Sequence, residues 1–283
     1  MSYVDSHHHF WDLEKFQYDG FPPKDTVLRQ TYLFPDLKAA IADTPVKHTV
    51  FVQVFHGYEE NAWILKLVED VPTVAGVVAW VDLTDPKVGD LIDNLKTHSK
   101  FCGIRHIIHD EADHNWILRE DVRRGLGVLE EKGVTFDLLL RPPNLPAIPA
   151  IAKEFPKLKF VIDHIAKPLI KDGVVQPWKD DITKCAVFPN VFIKLSGFVT
   201  EANHASWTMS DLQDYATYII GLFGAERTMY GSDWPVCLLA ADSYAKVYQA
   251  YHDLAVAAGC SDADLRRIFR DTAVDFYGLK LPS

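Results

Sequence analysis

The 283-residue chain is 48% hydrophobic and 24% charged, with a mean hydropathy of −0.04, and this composition excludes disordered, collagen-like and low-complexity proteins. Its 29 basic and 39 acidic residues give a formal net charge of −10, which disfavours binding to nucleic acids or anionic membrane surfaces because like charges repel. The sequence shows no basic-then-apolar leader, no apolar run near the roughly 20 residues of a membrane span, and no CxxC pair among its cysteines. We therefore expect an acidic globular protein of the cytoplasm, with neither a membrane nor a nucleic-acid partner.

Short segments rich in Val, Ile, Leu and Phe alternate with longer amphipathic segments along the chain. Eight short segments are predicted strands: Tyr3–His9, His48–Val54, Val74–Val81, Phe101–Ile108, Val134–Arg141, Lys159–Ile165, Val191–Gly197 and Thr228–Asp233. Their spacing is about that of one βα unit, and their continuous apolar interiors are typical of strands buried on both faces. Helices are predicted at Asp85–Lys100, Arg119–Lys132 and Ser261–Tyr277, with Gly133 and Ser261 as helix caps.

This alternation predicts an α/β fold, a (β/α)8 TIM barrel that forms a single domain over residues 1–283. No linker, composition break or charge run divides the chain. An open doubly wound sheet is the alternative, but no GxGxxG motif follows the first predicted strand. Functional residues of a barrel lie at the carboxyl ends of its strands, so polar residues at those positions are the site candidates.

Three predicted strands end in residues that bind metals or transfer protons. The alternation of side chains along a strand puts His7 and His9 on one face at the end of the first strand and turns His8 away. His164 ends the sixth strand, and Asp233 ends the eighth. A lone histidine or a loop aspartate is more often structural, but these residues together predict one site with the donor atoms that a divalent metal prefers.

Three other predicted strands interrupt an apolar run with a charge, at Arg105, Asp137 and Lys194. Burying a lone charge is costly, so each must be paired or must face a wet cavity. One interpretation is a buried ion pair between Asp137 and either Lys194 or Arg105. For Arg105 the functional interpretation is bidentate binding of carboxylate or carbonyl oxygens.

Further candidates for substrate contact lie near the predicted strand ends. They are Trp11, Gln53, His109, Arg141, Lys194 and Trp234. Core packing for the tryptophans and solvated loops for the polar residues are the alternatives. The long segment after the first strand, with Tyr18 and Phe21, is predicted to form a loop over the barrel mouth. The basic residues near this mouth favour an oxygen-rich or anionic ligand.

Five stretches at or near the predicted strand ends carry a family resemblance: Asp5–Asp12, Gly103–His106, Val161–Pro168, Lys194–Gly197 and Tyr230–Pro235. These stretches resemble the amidohydrolase-related TIM-barrel hydrolases, and within that family the sugar lactonase branch that contains L-fuconolactonase, L-rhamnonolactonase and dicarboxypyrone lactonase. The resemblance runs from residue 5 to about residue 240 and includes a closing helix at Asp271–Leu279. It implies a barrel hydrolase that opens sugar or related lactones to hydroxy acids. His7, His9, His164 and Asp233 match the family's metal-binding positions.

The same resemblance limits the metal content. Binuclear members of the superfamily carry a bridging lysine on the fourth strand or a histidine on the fifth, whereas this chain has Arg105 and Asp137 on those strands. We therefore expect one divalent ion at most, with zinc the first choice, and some lactonases of this branch are thought to work without an essential metal.

For catalysis we predict that Asp233 acts as the general base for attack of water on the ester carbonyl. A zinc ion on His7, His9 and His164 would lower the pKa of that water and polarise the carbonyl. Without a metal, the three histidines and Arg105 supply the positive field instead, so His164 and Arg105 are predicted catalytic groups in addition to Asp233.

Other functions remain open at this stage. Related barrels use similar residues to decarboxylate aromatic acids with a metal, and a decayed site would leave a catalytically inactive carbohydrate-binding barrel. A phosphate-binding barrel has only Gly197 and Gly231 in its favour. The sequence leaves open which lactone is bound, its ring size, the group that protonates the leaving oxygen, and the oligomeric state, a homo-oligomer included.

Overall fold

The structure, a computed structural model, describes residues 2–18 and 21–281. In this part of the chain eight parallel strands form one sheet in sequence order. They are β1 (Tyr3–His8), β2 (Val46–Val52), β3 (Val74–Ala79), β4 (Phe101–Ile107), β5 (Thr135–Leu139), β6 (Phe160–Ile162), β7 (Val191–Leu195) and β8 (Thr228–Tyr230). Each ends one to three residues before its predicted end. The predicted (β/α)8 barrel is confirmed.

Helices connect these strands within the described residues. They are α1 (Phe34–Ala40), α2 (Tyr58–Leu67), α3 (Val88–Lys96), α4 (Glu120–Lys132), α5 (Ile148–Glu154), α6 (Trp178–Ala186), α7 (Phe198–Glu201), α8 (Met209–Phe223), α9 (Tyr244–Ala257), α10 (Asp262–Arg266) and α11 (Thr272–Tyr277). The predicted caps are present: Gly133 ends α4 in the left-handed conformation, and the Ser261 hydroxyl accepts the Asp264 N–H at the start of α10. The long helix predicted after Ser261 is divided by a π-helical turn at Arg267–Asp271.

Backbone contacts between β1 and the segment after β8 close the barrel. His8 and Trp234 form a parallel bridge, and the His9 N–H donates to the Trp234 carbonyl at 2.7 Å. The Asp233 N–H donates to the His7 carbonyl at 2.9 Å. The first and last polar strand ends are thereby held side by side.

The Asp5 carboxylate reinforces this closure from within the barrel wall. Its Oδ1 accepts the backbone N–H groups of His7 at 3.0 Å and Ser232 at 2.9 Å. Its Oδ2 accepts the Ser232 hydroxyl at 2.6 Å and the Tyr244 hydroxyl at 2.9 Å. Burial raises the pKa of Asp5 to about 6, although these four donors stabilise its charged form.

The floor of the barrel interior is apolar. Val4, Val50, Val78 and Met229 are fully buried there, and Phe276 of α11 packs against them from the amino-terminal end. A packed floor of branched side chains is typical of small barrels. Among the described residues, no helix is both long and apolar enough to cross a membrane.

One acidic residue of the helical layer is buried and makes the stability of the fold depend on pH. Glu60 of α2 is fully buried, and its Oε2 accepts the Val54 N–H at 2.9 Å. Burial raises the pKa of Glu60 to about 8, so the folded protein holds a proton that the unfolded chain releases near pH 4.5.

We predict that Glu60→Gln becomes more stable than the wild type as the pH rises from 5 to 9. In the wild type, the protonated Glu60 contributes to the free energy of unfolding. This contribution is fully present below the unfolded pKa of Glu60 and is lost as the pH rises towards the folded pKa, at about 1.4 kcal/mol per pH unit. Urea unfolding at several pH values measures the difference, and Glu59→Gln, an exposed neighbour on the same helix, is the control. A constant difference between Glu60→Gln and the wild type from pH 5 to 9 would contradict the prediction.

Candidate active site

β1 delivers His7 and His9 to the centre of the barrel mouth, as its alternation predicts. Their Nε2 atoms lie 3.2 Å apart. The Nδ1 atom of His9 contacts the Val52 carbonyl at 2.7 Å, and since a carbonyl only accepts, the ring proton is on Nδ1 and the Nε2 lone pair is free. His8 turns the other way and packs on Phe10, with ring centroids 4.7 Å apart.

His164 reaches the same centre from the turn that follows β6. Its Nδ1 lies 2.9 Å from the Ser196 hydroxyl, and its Nε2 lies 3.7 Å from Asp233 Oδ1. Gly197 lies directly behind this ring with φ of 72°, and a Cβ there would lie 2.4 Å from the His164 Cβ. Only glycine suits both this backbone conformation and this close approach.

Asp233 brings the carboxylate between the imidazoles. Its backbone has φ of 58°, and its Oδ1 lies 3.3 Å from His9 Nε2 and 3.8 Å from His7 Nε2. Burial alone would raise the pKa of Asp233, but the neighbouring His164, His9 and Lys167 outweigh burial and lower it. Burial is also the main cause that lowers the pKa of His7, His9 and His164. The site therefore holds an ionised carboxylate among neutral imidazoles.

The donor atoms of this cluster fit a tetrahedral metal ion. One ligand atom each from His7, His164 and Asp233 lie within 4.8 Å of one another, and His9 Nε2 is in contact with two of these residues. Ligands about 2.0–2.1 Å from a tetrahedral zinc ion are roughly 3.3 Å apart, close to the distances found here. Nitrogen and carboxylate donors are those that zinc prefers.

Arg105 of β4 lies against the same histidines. Its Nη1 lies 3.2 Å from His7 Nε2 and 3.3 Å from Asp163 Oδ2, and its Nη2 donates to the Gln53 carbonyl. Its Nε is buried and has no hydrogen-bond partner among the described residues. A guanidinium so close to His7 Nε2 competes with a cation for that nitrogen, and it supplies positive charge to the site when no cation is bound.

A buried ion-pair network supports the site from below. Lys194 Nζ lies 2.6 Å from Asp137 Oδ2 and 2.9 Å from Asp163 Oδ1, and all three residues are fully buried. The same ammonium lies 3.2 Å from His7 Nδ1, and the Tyr277 hydroxyl donates to Asp137 Oδ2 at 2.7 Å. The Asp137–Lys194 ion pair considered from the sequence is therefore present.

A cavity of about 610 Å³ opens above these groups at the barrel mouth. It is lined, among other residues, by the candidates His9, Arg105, His109, Arg141, His164 and Asp233, and by Tyr18 and Phe21 of the predicted mouth loop. Residues 19 and 20 of this loop lie outside the described residues. Polar and aromatic side chains therefore share one cavity at the carboxyl ends of the strands.

Three other candidates for substrate contact lie behind the cavity wall of the described chain. Trp11 is fully buried, and its Nε1–H donates to the Gln30 carbonyl at 2.6 Å. Trp234 is 2% exposed and packs in the aromatic core. Gln53 is fully buried, and its amide donates to the Arg105 carbonyl at 3.3 Å. The core-packing interpretation therefore describes the two tryptophans, and Gln53 contacts the backbone of β4.

Sequence reasoning did not single out four other residues of the cavity wall, Phe55, His56, Glu111 and Lys167. The first three follow the ends of β2 and β4, where the strand-end rule would have found them. Lys167 lies in Val161–Pro168, one of the stretches that carry the family resemblance.

A parallel (β/α)8 barrel with titratable side chains from several strand ends in one cavity has the architecture of a barrel enzyme. Comparison with protein families gives the particular family. The amidohydrolase family matches residues 4–279, and the chain belongs to it.

Full-length relatives agree with this assignment. The chain is 34% identical to an L-fucono-1,5-lactonase of Burkholderia ambifaria and 30% identical to one of Burkholderia multivorans, over 99% of this chain and 97% of each relative. An amidohydrolase of B. multivorans crystallised with bound zinc is 31% identical, with a TM-score of 0.90, covering 99% of this chain and 100% of that one. The similarity in sequence and in fold therefore extends over nearly the full length of this chain and of these relatives.

We predict that Lys194→Met lowers the free energy of unfolding by about 3–5 kcal/mol, because it leaves Asp137 and Asp163 as buried carboxylates without their cation. Urea unfolding measures the change. Lys157→Met, at an exposed position, should stay within about 0.5 kcal/mol of the wild type. Equal stability of the two variants would show that Lys194 does not hold this network together.

Proposed function

We propose that the protein hydrolyses a sugar-derived aldonolactone to its hydroxy acid, a carboxylic ester hydrolysis carried out in the cytoplasm. The observation that carries the proposal is the ionised Asp233 carboxylate, which lies 3.3 Å from His9 and 3.7 Å from His164 at the base of an open cavity. Two relatives of at least 30% identity over nearly the whole chain are L-fucono-1,5-lactonases, and their activity supports this substrate class.

Asp233 is the general base in this mechanism. Water attacks an ester carbonyl faster when a base removes a proton as the new C–O bond forms. The lowered pKa of Asp233 keeps it ionised at neutral pH. The neutral rings of His9 and His164 flank the carboxylate and orient the water that it deprotonates, since each has an Nε2 within 4 Å of Oδ1.

Arg105 stabilises the negative charge that develops on the carbonyl oxygen. It is 3% exposed and lines the cavity, and its Nε is unpaired among the described residues. A fixed cation in a poorly hydrated site stabilises an oxyanion more than the same cation in water does, because little solvent needs to reorganise. Asp163 and the Gln53 carbonyl hold the guanidinium in place.

A single zinc ion is part of the proposal, and His7, His9, His164 and Asp233 would hold it. These residues would hold the ion where it would lower the pKa of a water to about 7 and would polarise an ester carbonyl. The chain's own residues prepare this site. The Val52 carbonyl contacts Nδ1 of His9, and the Ser196 hydroxyl contacts Nδ1 of His164. Partners of this kind usually orient histidines that bind a metal.

Substrate recognition is divided between two sides of the cavity. Tyr18 and Phe55, whose rings meet edge to face at 5.2 Å, offer an aromatic surface for the C–H face of a sugar ring. His109 and Arg141 offer donors for its hydroxyl and carboxyl oxygens. In this proposal Trp11, Trp234, Gln53 and Lys194 support these walls from behind.

We predict that Asp233→Asn lowers kcat for aldonolactone hydrolysis on the order of 10² or more, because the amide takes up no proton from water. Uptake of base at constant pH measures the rate on a panel that includes L-fucono-1,5-lactone. Asp110→Asn is the matched control, since Asp110 lines the cavity but its side chain is 70% exposed.

Near-normal turnover by Asp233→Asn would exclude the base role. Release of CO₂ from aromatic acids in place of lactone turnover would assign the site to a decarboxylase instead.

We also predict about one zinc ion per chain in protein prepared with zinc, and its loss in His9→Ala, because that variant removes one of four donors. Elemental analysis measures the metal content, and lactone turnover is followed before and after chelation. Full activity at zero metal would remove the zinc ion from the mechanism and leave Asp233 and Arg105 to act alone. His98→Ala is the control and should bind as much zinc as the wild type, because His98 is exposed and is not one of the four proposed ligands.

A further inference from the structure

A left-handed turn follows β6 and contains four consecutive residues that are not glycine. His164, Ile165, Ala166 and Lys167 have φ values of 51°, 47°, 60° and 49°. Residues with a Cβ visit this region singly and at a cost in free energy, and a run of four is exceptional. Strain of this kind persists where the surrounding structure holds it and is concentrated at functional sites.

The turn places two side chains in the cavity together. The Lys167 N–H donates to the His164 carbonyl at 2.8 Å, and residues three apart in such a tight turn project to the same side. Both residues line the cavity. Ile165 and Ala166 between them are fully buried, and the Trp178 Nε1–H fixes the Ile165 carbonyl at 2.7 Å.

The Lys167 ammonium is held in a defined position. Its Nζ lies 2.8 Å from Oε1 of Glu201, the last residue of α7, and both side chains are 14% exposed. Burial, and after it the charge of Lys167, lowers the pKa of the His109 imidazole to about 3. Lys167 and His109 both line the cavity.

We propose that Lys167 binds the carboxyl oxygens of the substrate, and that it does so most strongly once they carry negative charge. Glu201 is the positioning residue that orients it. This inference rests on the proposed lactone hydrolysis, because the carboxylate that Lys167 would bind is the product of that reaction.

The balance of the reaction gives the reason. Water adds to the ester carbon, and Asp233 takes one of its protons. The ring C–O bond then breaks with its electron pair on the ring oxygen, and the proton passes to that oxygen. A neutral lactone thus becomes a hydroxy acid, which is a carboxylate at neutral pH. A fixed ammonium binds the anionic transition state and product more strongly than the neutral substrate.

A purely structural ion pair would behave differently. Lys167 paired with Glu201 only to hold the left-handed turn would not distinguish a carboxylate ligand from a neutral one. Lys171, an exposed residue in the next turn of the same loop, provides a matched position for the test.

The test is calorimetric titration with sodium L-fuconate, a carboxylate that requires no turnover, and with L-fucitol, its neutral counterpart. We expect Lys167→Met to weaken L-fuconate binding roughly 10- to 100-fold, the range of a charge-assisted hydrogen bond. Lys167→Arg should recover part of this loss, and Lys171→Met should bind as the wild type does. For L-fucono-1,5-lactone we expect Lys167→Met to lower kcat far more than it changes KM.

L-Fuconate affinity in folded Lys167→Met equal to that of the wild type would overturn the proposal. If that variant does not fold, the affinities of the wild type for the two ligands are compared. The proposal requires L-fuconate to bind at least about tenfold more tightly than L-fucitol, and equal affinities would overturn it. Binding that depends on Lys167 without hydrolysis of any lactone would refute the proposed function and retain the anion site. Hydrolysis with unaltered binding and kcat in Lys167→Met would refute the site alone.

Discussion

The closure of the barrel by one buried carboxylate positions the rest of the site. Asp5 accepts four hydrogen bonds, two of them from backbone N–H groups on opposite sides of the seam between β1 and the segment after β8. This constraint fixes His7 and Asp233 next to one another although 226 positions of sequence numbering separate them. A looser seam would increase the distance between these two residues, because the Asp233 N–H bonds directly to the His7 carbonyl across it.

Charge compensation around this seam decides what the site does chemically. Lys194 and Arg105 bring two cations beneath and beside His7, and Asp137 and Asp163 bring two carboxylates. These four charges balance one another, burial keeps the imidazoles neutral, and Asp233 carries a negative charge among them at the base of the cavity. A neutral imidazole can accept a proton or bind a metal, and an ionised aspartate can deprotonate water, so both versions of the chemistry use the same electrostatic balance.

Sequence periodicity predicted all eight strands and the three helices that it singled out, because buried parallel strands are apolar on both faces. The strand-end rule then found His7, His9, His164 and Asp233. It could not separate a tryptophan that lines a cavity from one that packs behind it, since Trp11 and Trp234 have the same residue type and position in either case. Nor could it find Lys167, because its orientation depends on a left-handed turn that no residue preference predicts.

The strand before the left-handed turn, β6, and the strand before Asp233, β8, are the shortest of the sheet. β6 and β8 have three residues each, whereas the other strands have five to seven. Within three residues of its end, each short strand is followed by non-glycine residues with positive φ, His164 to Lys167 after β6 and Asp233 after β8. A strand that continued would alternate its side chains between the lumen and the helical layer. By leaving the ladder early, the chain gives up backbone hydrogen bonds and accepts strain. It thereby places the polar side chains of His164, Lys167 and Asp233 in one cavity. The surrounding packing, with Gly197 behind His164 and Trp178 on the turn, keeps that arrangement from relaxing into an ordinary strand.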